Sequence, residues 1–234
     1  MLNPIRTMVM AVAATLIAPL AFAQSFSNST FEVPKPQRPT VVAPTGGCGT
    51  ITLTQSTSQS IVAANSVSCN AGGLHTDNSY YRSFPLTADI NVCEVQFGIE
   101  TAAGAGGTQP VTVNLYSGAG AFPATFPAGY TQIGTASLNV ADQAATVFPA
   151  SVAGLALAGT NLVVEVFTPD GQTAGNSFFI GSNSSGESAP SYLAAAGCGV
   201  STPTATSAIG FPQMQIVMNV IGNPGGPSLS VGSA

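Results

Sequence analysis

The chain has 234 residues, with four Lys or Arg against nine Asp or Glu, a formal net charge of −5, and only 6% charged residues. So few cations cannot displace the counterions of a phosphate backbone, which excludes nucleic acid as a partner class. After residue 47 there is one histidine (His75), one arginine (Arg82) and no lysine, and the chain has no tryptophan at all. Most imidazole chemistry, lysine Schiff bases and the usual sugar-stacking ring are therefore missing.

Arg6, the apolar run over 8–18 and Ala21-Phe22-Ala23 read as a secretory signal over 1–23, so the chain is expected to be exported. The apolar run is too short for a bilayer and is followed by Pro19, and no later segment is apolar enough, so no membrane span is expected. Removal of Arg6 leaves three basic against nine acidic residues. Residues 24–47 read as a flexible linker, because Val33-Pro34-Lys35-Pro36-Gln37-Arg38-Pro39 has almost nothing to bury.

Residues 48–222 read as one domain, and 223–234 as a Gly/Pro/Ser-rich C-terminal tail. Inside the domain, period-two segments recur between Gly, Pro and Asn turns. Segments 50–54 and 60–68 make an opening pair, followed by 80–86. In 91–100, Cys93, Val95, Phe97 and Ile99 share one face, and Val92, Glu94, Gln96 and Glu100 the other. In 111–116, Val111, Val113 and Leu115 point one way and Thr112, Asn114 and Tyr116 the opposite way. Segments 132–140, 146–148, 161–167, 177–180 and 213–221 complete nine or ten predicted strands. The alanine-rich stretches 102–105, 119–124 and 193–196 are cut by Gly or Pro and read as loops. No window carries a helical stripe, so the predicted fold is an all-β, disulfide-bonded antiparallel β-sandwich of jelly-roll or Greek-key type.

Four cysteines in an exported chain read as two disulfides, since the spacing 48, 69, 93, 198 gives no C-x-x-C for zinc. Three pairings are open. Cys69–Cys198 with Cys48–Cys93 is preferred, and Cys48–Cys69 closing the first hairpin is the alternative.

The outward row Glu94, Gln96, Glu100, Asn114, Tyr116 and Glu165 is the most suggestive surface. If its strands are neighbours, it forms a polar face with acceptors and a ring, suited to an oligosaccharide; the competing reading is a solvated sheet face. Stacking would fall to Tyr80, Tyr81, Tyr116, Tyr130 or Tyr192. A glutamate pair at about 5–5.5 Å would also serve a retaining glycosidase. His75 and Arg82 are the domain's only cations and flank one segment, Asp77 to Tyr81, which makes His75, Asp77 and Arg82 further candidate site residues, although no G-x-S-x-G elbow supports a serine hydrolase. Asp77-Asn78-Ser79 also reads simply as a turn. Asp142, Asp170, Asn176 and Glu187 are oxygen donors for a possible calcium ion; no other cofactor is implied.

The stretches HTDNSYYRSF (75–84), VQFGIETA (95–102), VTVNLY (111–116), LVVEVFTPDGQ (162–172), FFIGSN (178–183) and GFPQMQIVMNVIG (210–222) together resemble an accessory β-sandwich module of secreted bacterial proteins. Such modules are often appended to extracellular peptidases or hydrolases. The resemblance implies a jelly-roll-like domain with an adhesive or substrate-binding role and carries no site residues. The resulting expectation is a secreted, non-catalytic module that binds glycan or another surface polymer. The rival is a self-assembling surface protein, whose arm at 31–42 adds to a neighbour's edge strand. A glutamate-pair glycosidase ranks third.

Overall fold

The computed structural model describes residues 24–29 and 48–225. The predicted signal, most of the predicted linker, the arm at 31–42 and most of the predicted tail lie outside the described residues. In chain order the strands are β1 (Ser25–Asn28), β2 (Ile51–Thr54), β3 (Val67–Ala71), β4 (Leu74–His75), β5 (Asn78–Pro85), β6 (Ile90–Gly104), β7 (Thr108–Gly118) and β8 (Thr131–Ala141). They continue as β9 (Gln143–Ala156), β10 (Asn161–Thr168), β11 (Asn176–Ile180), β12 (Ser182–Asn183), β13 (Tyr192–Ala195), β14 (Val200–Ala205), β15 (Gln215–Ile216) and β16 (Met218–Pro224).

Two large antiparallel sheets face one another. One has six strands in the order β14-β13-β5-β10-β7-β8. The other centres on β6, with β9 along one edge and β16 then β11 along the other; β2 extends it beyond β16. The fold is thus the all-β antiparallel sandwich that the alternation predicts.

Alternation explains the core. Tyr80, Phe84, Val111, Val113, Leu115, Leu162, Val164 and Val166 point inward from the six-stranded sheet. Val95, Phe97, Ile99, Met218 and Val220 meet them from the other. Each buried side chain of this size contributes about 1.5–3 kcal/mol relative to exposure.

Val92 departs from the predicted face. Adjacent residues Ile221 and Gly222 of β16 pair with Glu94 and Val92 of β6, so Cys93 is an extra residue and the parity flips there. Val92 therefore enters the core at 3% exposure, while Cys93 turns aside to bond Cys48. The second disulfide is Cys69–Cys198, so of the three pairings open to the sequence the protein has this one.

Other differences are local. Residues 25–28, read as linker, form β1 on the edge of β3. The predicted opening pair does not exist: β2 pairs with β16, and β3 with β1 and β4. The alanine-rich stretch at 193–196 lies largely in β13, which Tyr192 and Leu193 join to Tyr81 and Tyr80 of β5. Residues 102–104 prolong β6, and 223–224 end β16.

Candidate functional site

One register row runs across the outer face of the six-stranded sheet: Tyr192 opposite Tyr81, Tyr81 opposite Glu165, Glu165 opposite Asn114, and Asn114 opposite Thr135. These positions alternate with the core residues of β5, β10 and β7, so their outward direction follows from the strand period. Glu165 is nonetheless only 8% exposed. Its Oε1 accepts from Tyr81 Oη at 2.8 Å, and its Oε2 accepts from Asn114 Nδ2 and Tyr116 Oη, both at 2.9 Å. Asn114 Oδ1 in turn accepts from Thr135 Oγ1 at 2.7 Å and Gln132 Nε2 at 3.1 Å. The carboxylate is thereby the centre of a chain of side-chain bonds that crosses four strands.

The burial comes from the segment after β7. Its sequence FPATFPAG repeats Phe-Pro-Ala at an interval of four, from Phe122 to Phe126. Thr125 N donates to Ala121 O and Gly129 N to Thr125 O, so the segment turns like a short helix and sets both rings on one side. Gly120 makes this turn possible, because a Cβ there would collide with Thr125 Oγ1. Tyr130 Oη and Asn161 Nδ2 both donate to Gly120 O, at 2.6 and 2.9 Å, and fasten the turn to the sheet.

Phe126 meets Tyr116 at 5.1 Å, Tyr81 at 5.7 Å and Tyr130 at 5.5 Å between ring centroids. Phe122 meets Tyr192 at 4.9 Å, Phe126 at 5.4 Å and Tyr81 at 6.0 Å. Most of these contacts are edge-to-face, the arrangement that ring quadrupoles favour. Tyr81 is buried, while Tyr116, Phe122, Phe126, Tyr130 and Tyr192 are half-buried, so one side of the cluster faces solvent.

Electrostatics keep the phenols as donors. Burial, and then the Glu165 charge beside them, push Tyr81 and Tyr116 well above the usual phenol range. Tyr192 is raised by burial and by Glu187, with Arg82 opposing. At neutral pH the site thus offers protonated hydroxyls, one amide row and several ring edges.

The predicted site residues separate into three places. Asn114, Tyr116 and Glu165 come together as described. Glu94 and Gln96 lie on the outer face of the other sheet, where Gln96 Nε2 donates to Glu94 Oε1 at 2.8 Å and Glu94 is 5% exposed. Packed sheets stand about 10 Å apart, so Glu94 and Glu165, on opposite outer faces, are too distant for the acid and nucleophile of a glycosidase. The single predicted row is corrected to two faces, and the glutamate pair is not assembled.

His75 and Arg82 offer no surface cation. Arg82 is fully buried, donates to Ala189 O and Ile216 O, and pairs with Glu187 at 2.9 Å. Burial lowers its pKa, and Glu187 opposes that shift. His75 is 1% exposed, its Nδ1 lies 2.8 Å from Thr76 O, and burial lowers its pKa. Asp77 alone of the three is exposed, while neighbouring Asn78 braces Cys69 through its amide. The calcium donors are engaged elsewhere: Glu187 with Arg82 and Ser191, Asp142 with Gly104 N, and Asp170 with Gln172 N. Among the described residues no group of three or more His, Cys, Asp or Glu is placed to hold a metal ion.

The chain matches no protein-family model and no curated protein. It is similar to a solved structure. That structure comprises the cysteine protease and lectin-like domains of Cwp84, a surface layer associated protein of Clostridium difficile, at 10% identity and a TM-score of 0.40. The likeness covers 69% of this chain and 38% of that one. No helix among the described residues is long and apolar enough to cross a membrane, and the two disulfides suit an oxidising compartment.

Phe122 and Phe126 are the site residues that sequence reasoning missed. The tandem Phe-Pro-Ala repeat was the available signal, since two rings spaced by four share a face once the segment turns.

Proposed function

We propose that this protein is an exported, non-catalytic binding module that recognises glycan or another surface polymer on the outer face of its six-stranded sheet. One observation carries the reading: a buried carboxylate fixes two tyrosines and an asparagine beneath a partly solvent-facing group of rings. Sugar rings need flat apolar surfaces beside directional hydrogen-bond groups, and both are present here, the polar groups on strands and the phenylalanine rings on the turn packed against them. Pre-fixing the phenols lowers the ordering cost of binding, about 0.5–1.5 kcal/mol per side chain. The oxygens of Glu165 are already taken by three donors, so the residue serves as a positioning residue rather than as an acid or base.

The test is a panel of insoluble and soluble polysaccharides, read by pull-down and titration calorimetry. Retention of at least one polymer is expected, with Tyr192→Ala and Tyr130→Ala each weakening it roughly 3–10-fold, as one aromatic contact is worth about 0.5–1.5 kcal/mol. A folded protein that binds none of the panel, or binds equally after both substitutions, would sink the reading.

A further inference from the structure

Strand β3 is a rigid seat. Cys69 at its centre is tied to Cys198, and its N–H and C=O are both bonded to the Asn78 side chain. The other edge of β3 is completed by β1 through four register pairs, Ser25 with Asn70 to Asn28 with Val67. β1 itself is lightly held. Its one apolar anchor is Phe26, packed edge-on against Phe211 at 5.9 Å. Asn28 Nδ2 donates to Ala64 O and Ser66 O, Ser27 Oγ accepts from Asn70 Nδ2, and Ser25 and Asn28 are exposed. Without β1, the seat would leave an unpaired strand edge beside the Phe211 ring, a template that must be covered.

Nothing in these contacts specifies which copy of the chain supplies the strand. Between Ser29 and Cys48 lie 18 residues with four prolines, and Cys48 is pinned to Cys93 on β6. Eighteen residues span at most about 3.3–3.6 Å each, an upper bound of roughly 60 Å. A domain of this size is about 40 Å across. The pinned link is therefore long enough to carry β1 to a neighbouring molecule's seat.

We propose that β1 exchanges between copies of this chain, the SFSN strand of one completing β3 of the next. Because the bonds are the same within and between chains, the balance is set by effective concentration, on the order of millimolar for such a link. The chain is monomeric when dilute and becomes linked when crowded. A reciprocal exchange gives a closed dimer, and a head-to-tail exchange an open row. None of this depends on the proposed binding face, which lies on another sheet.

The test uses the full chain with photo-reactive benzoylphenylalanine in place of Phe26, prepared as equal amounts of nitrogen-14 and nitrogen-15 protein. The two are mixed, warmed to let β1 reopen, and irradiated. Cross-links from position 26 to the peptides holding Val67–Ala71 or Phe211 are then sorted by isotope. Mixed-isotope links are expected to rise from almost none at about 10 μM towards about a quarter of all links near 1 mM, where half of the strands are exchanged and half of the exchanged pairs are mixed. Isotopically pure links throughout would overturn the proposal. Light scattering on the unsubstituted chain gives the second reading: oligomers should grow with concentration and vanish in Phe26→Ser. Their absence in the parent chain, or their persistence in Phe26→Ser, would also overturn it.

Discussion

Two buried carboxylates, one on the outer face of each sheet, show how the same residue type is used in two ways. Glu100 on β6 is 1% exposed and accepts from Ala64 N and Ser66 N, both at 2.9 Å. Those donors belong to the backbone of the loop 55–66, which is laid over the sheet. That loop is further held by Asn183 Nδ2 to Ser58 O and Ser60 O, and by Val62 N to Ser182 O. Its Ile61 sits on Gly98, where a Cβ would come within 2.6 Å of the Ile61 methyl. Glu100 is a staple for a cover. Glu165 accepts instead from side chains, and the groups above it remain partly open to solvent. A carboxylate that fixes backbone closes a face, whereas one that fixes phenols and an amide prepares a face.

The largest effect that would break this contrast belongs to the staple. Glu100→Ala orphans the buried N–H of Ser66 and releases the part-buried N–H of Ala64, two bonds to a charged acceptor worth about 1.5–3 kcal/mol each, and should destabilise the fold by about 3 kcal/mol in denaturant unfolding. Hydrogen exchange at Ala64 and Ser66 should quicken selectively. A loss below about 1 kcal/mol would show that the loop is held by its other bonds.

Glu165→Ala should cost less, about 1–2 kcal/mol, because Tyr116 and Asn114 are half-buried and can turn to water while only Tyr81 is left stranded. Polymer binding should fall further than stability does. Glu165→Gln sharpens the point, since its single acceptor oxygen cannot serve three donors. If Glu165→Ala proves as damaging as Glu100→Ala, both carboxylates are staples and the contrast fails.

Ionisation separates the phenols in the same spirit. Burial and the Glu165 charge raise Tyr81 and Tyr116 in the folded state above the unfolded value of 10.0. The unfolded chain therefore loses those protons first, and stability falls as pH rises past about 10. Absorbance titration near 295 nm should show Tyr81 and Tyr116 ionising only with unfolding. In Glu165→Gln their onset should move down, because one of the two raising causes is gone. An unchanged onset would mean that burial alone sets it.

The fold was largely legible because alternation is local: Val111, Val113 and Leu115 point inward wherever β7 is placed. What alternation cannot tell is which sheet a strand joins. Glu94 and Glu165 look alike in sequence, and only topology sends them to opposite sides of the sandwich. Val92 was misplaced because an extra residue at Cys93 inverts the parity, and such a bulge has no compositional mark. The strand β13 was missed because Leu-Ala-Ala has little intrinsic strand preference; its pairing with Tyr80 and Tyr81 decides it. At the site, Asn114, Tyr116 and Glu165 were visible from the strand period. Phe122 and Phe126 were not, since a Phe-Pro-Ala turn reads as loop until the sheet beneath supplies Tyr116 and Tyr192 for its rings.

The smallest expected effect on stability is the most informative about the open face. Tyr192 is half-buried, touches Phe122 at 4.9 Å, and sits at the end of the row, one strand beyond Tyr81. Tyr192→Ala removes one edge-to-face contact and should cost about 1 kcal/mol or less in unfolding. Glu165 keeps all three of its donors in that variant, so the prepared phenols stay in place. A binding loss several-fold larger than the stability loss implies would then come from the ring as a contact surface. A binding loss matched by the stability loss would make Tyr192 one more brace for Phe122, and the rings a cover like the loop over Glu100.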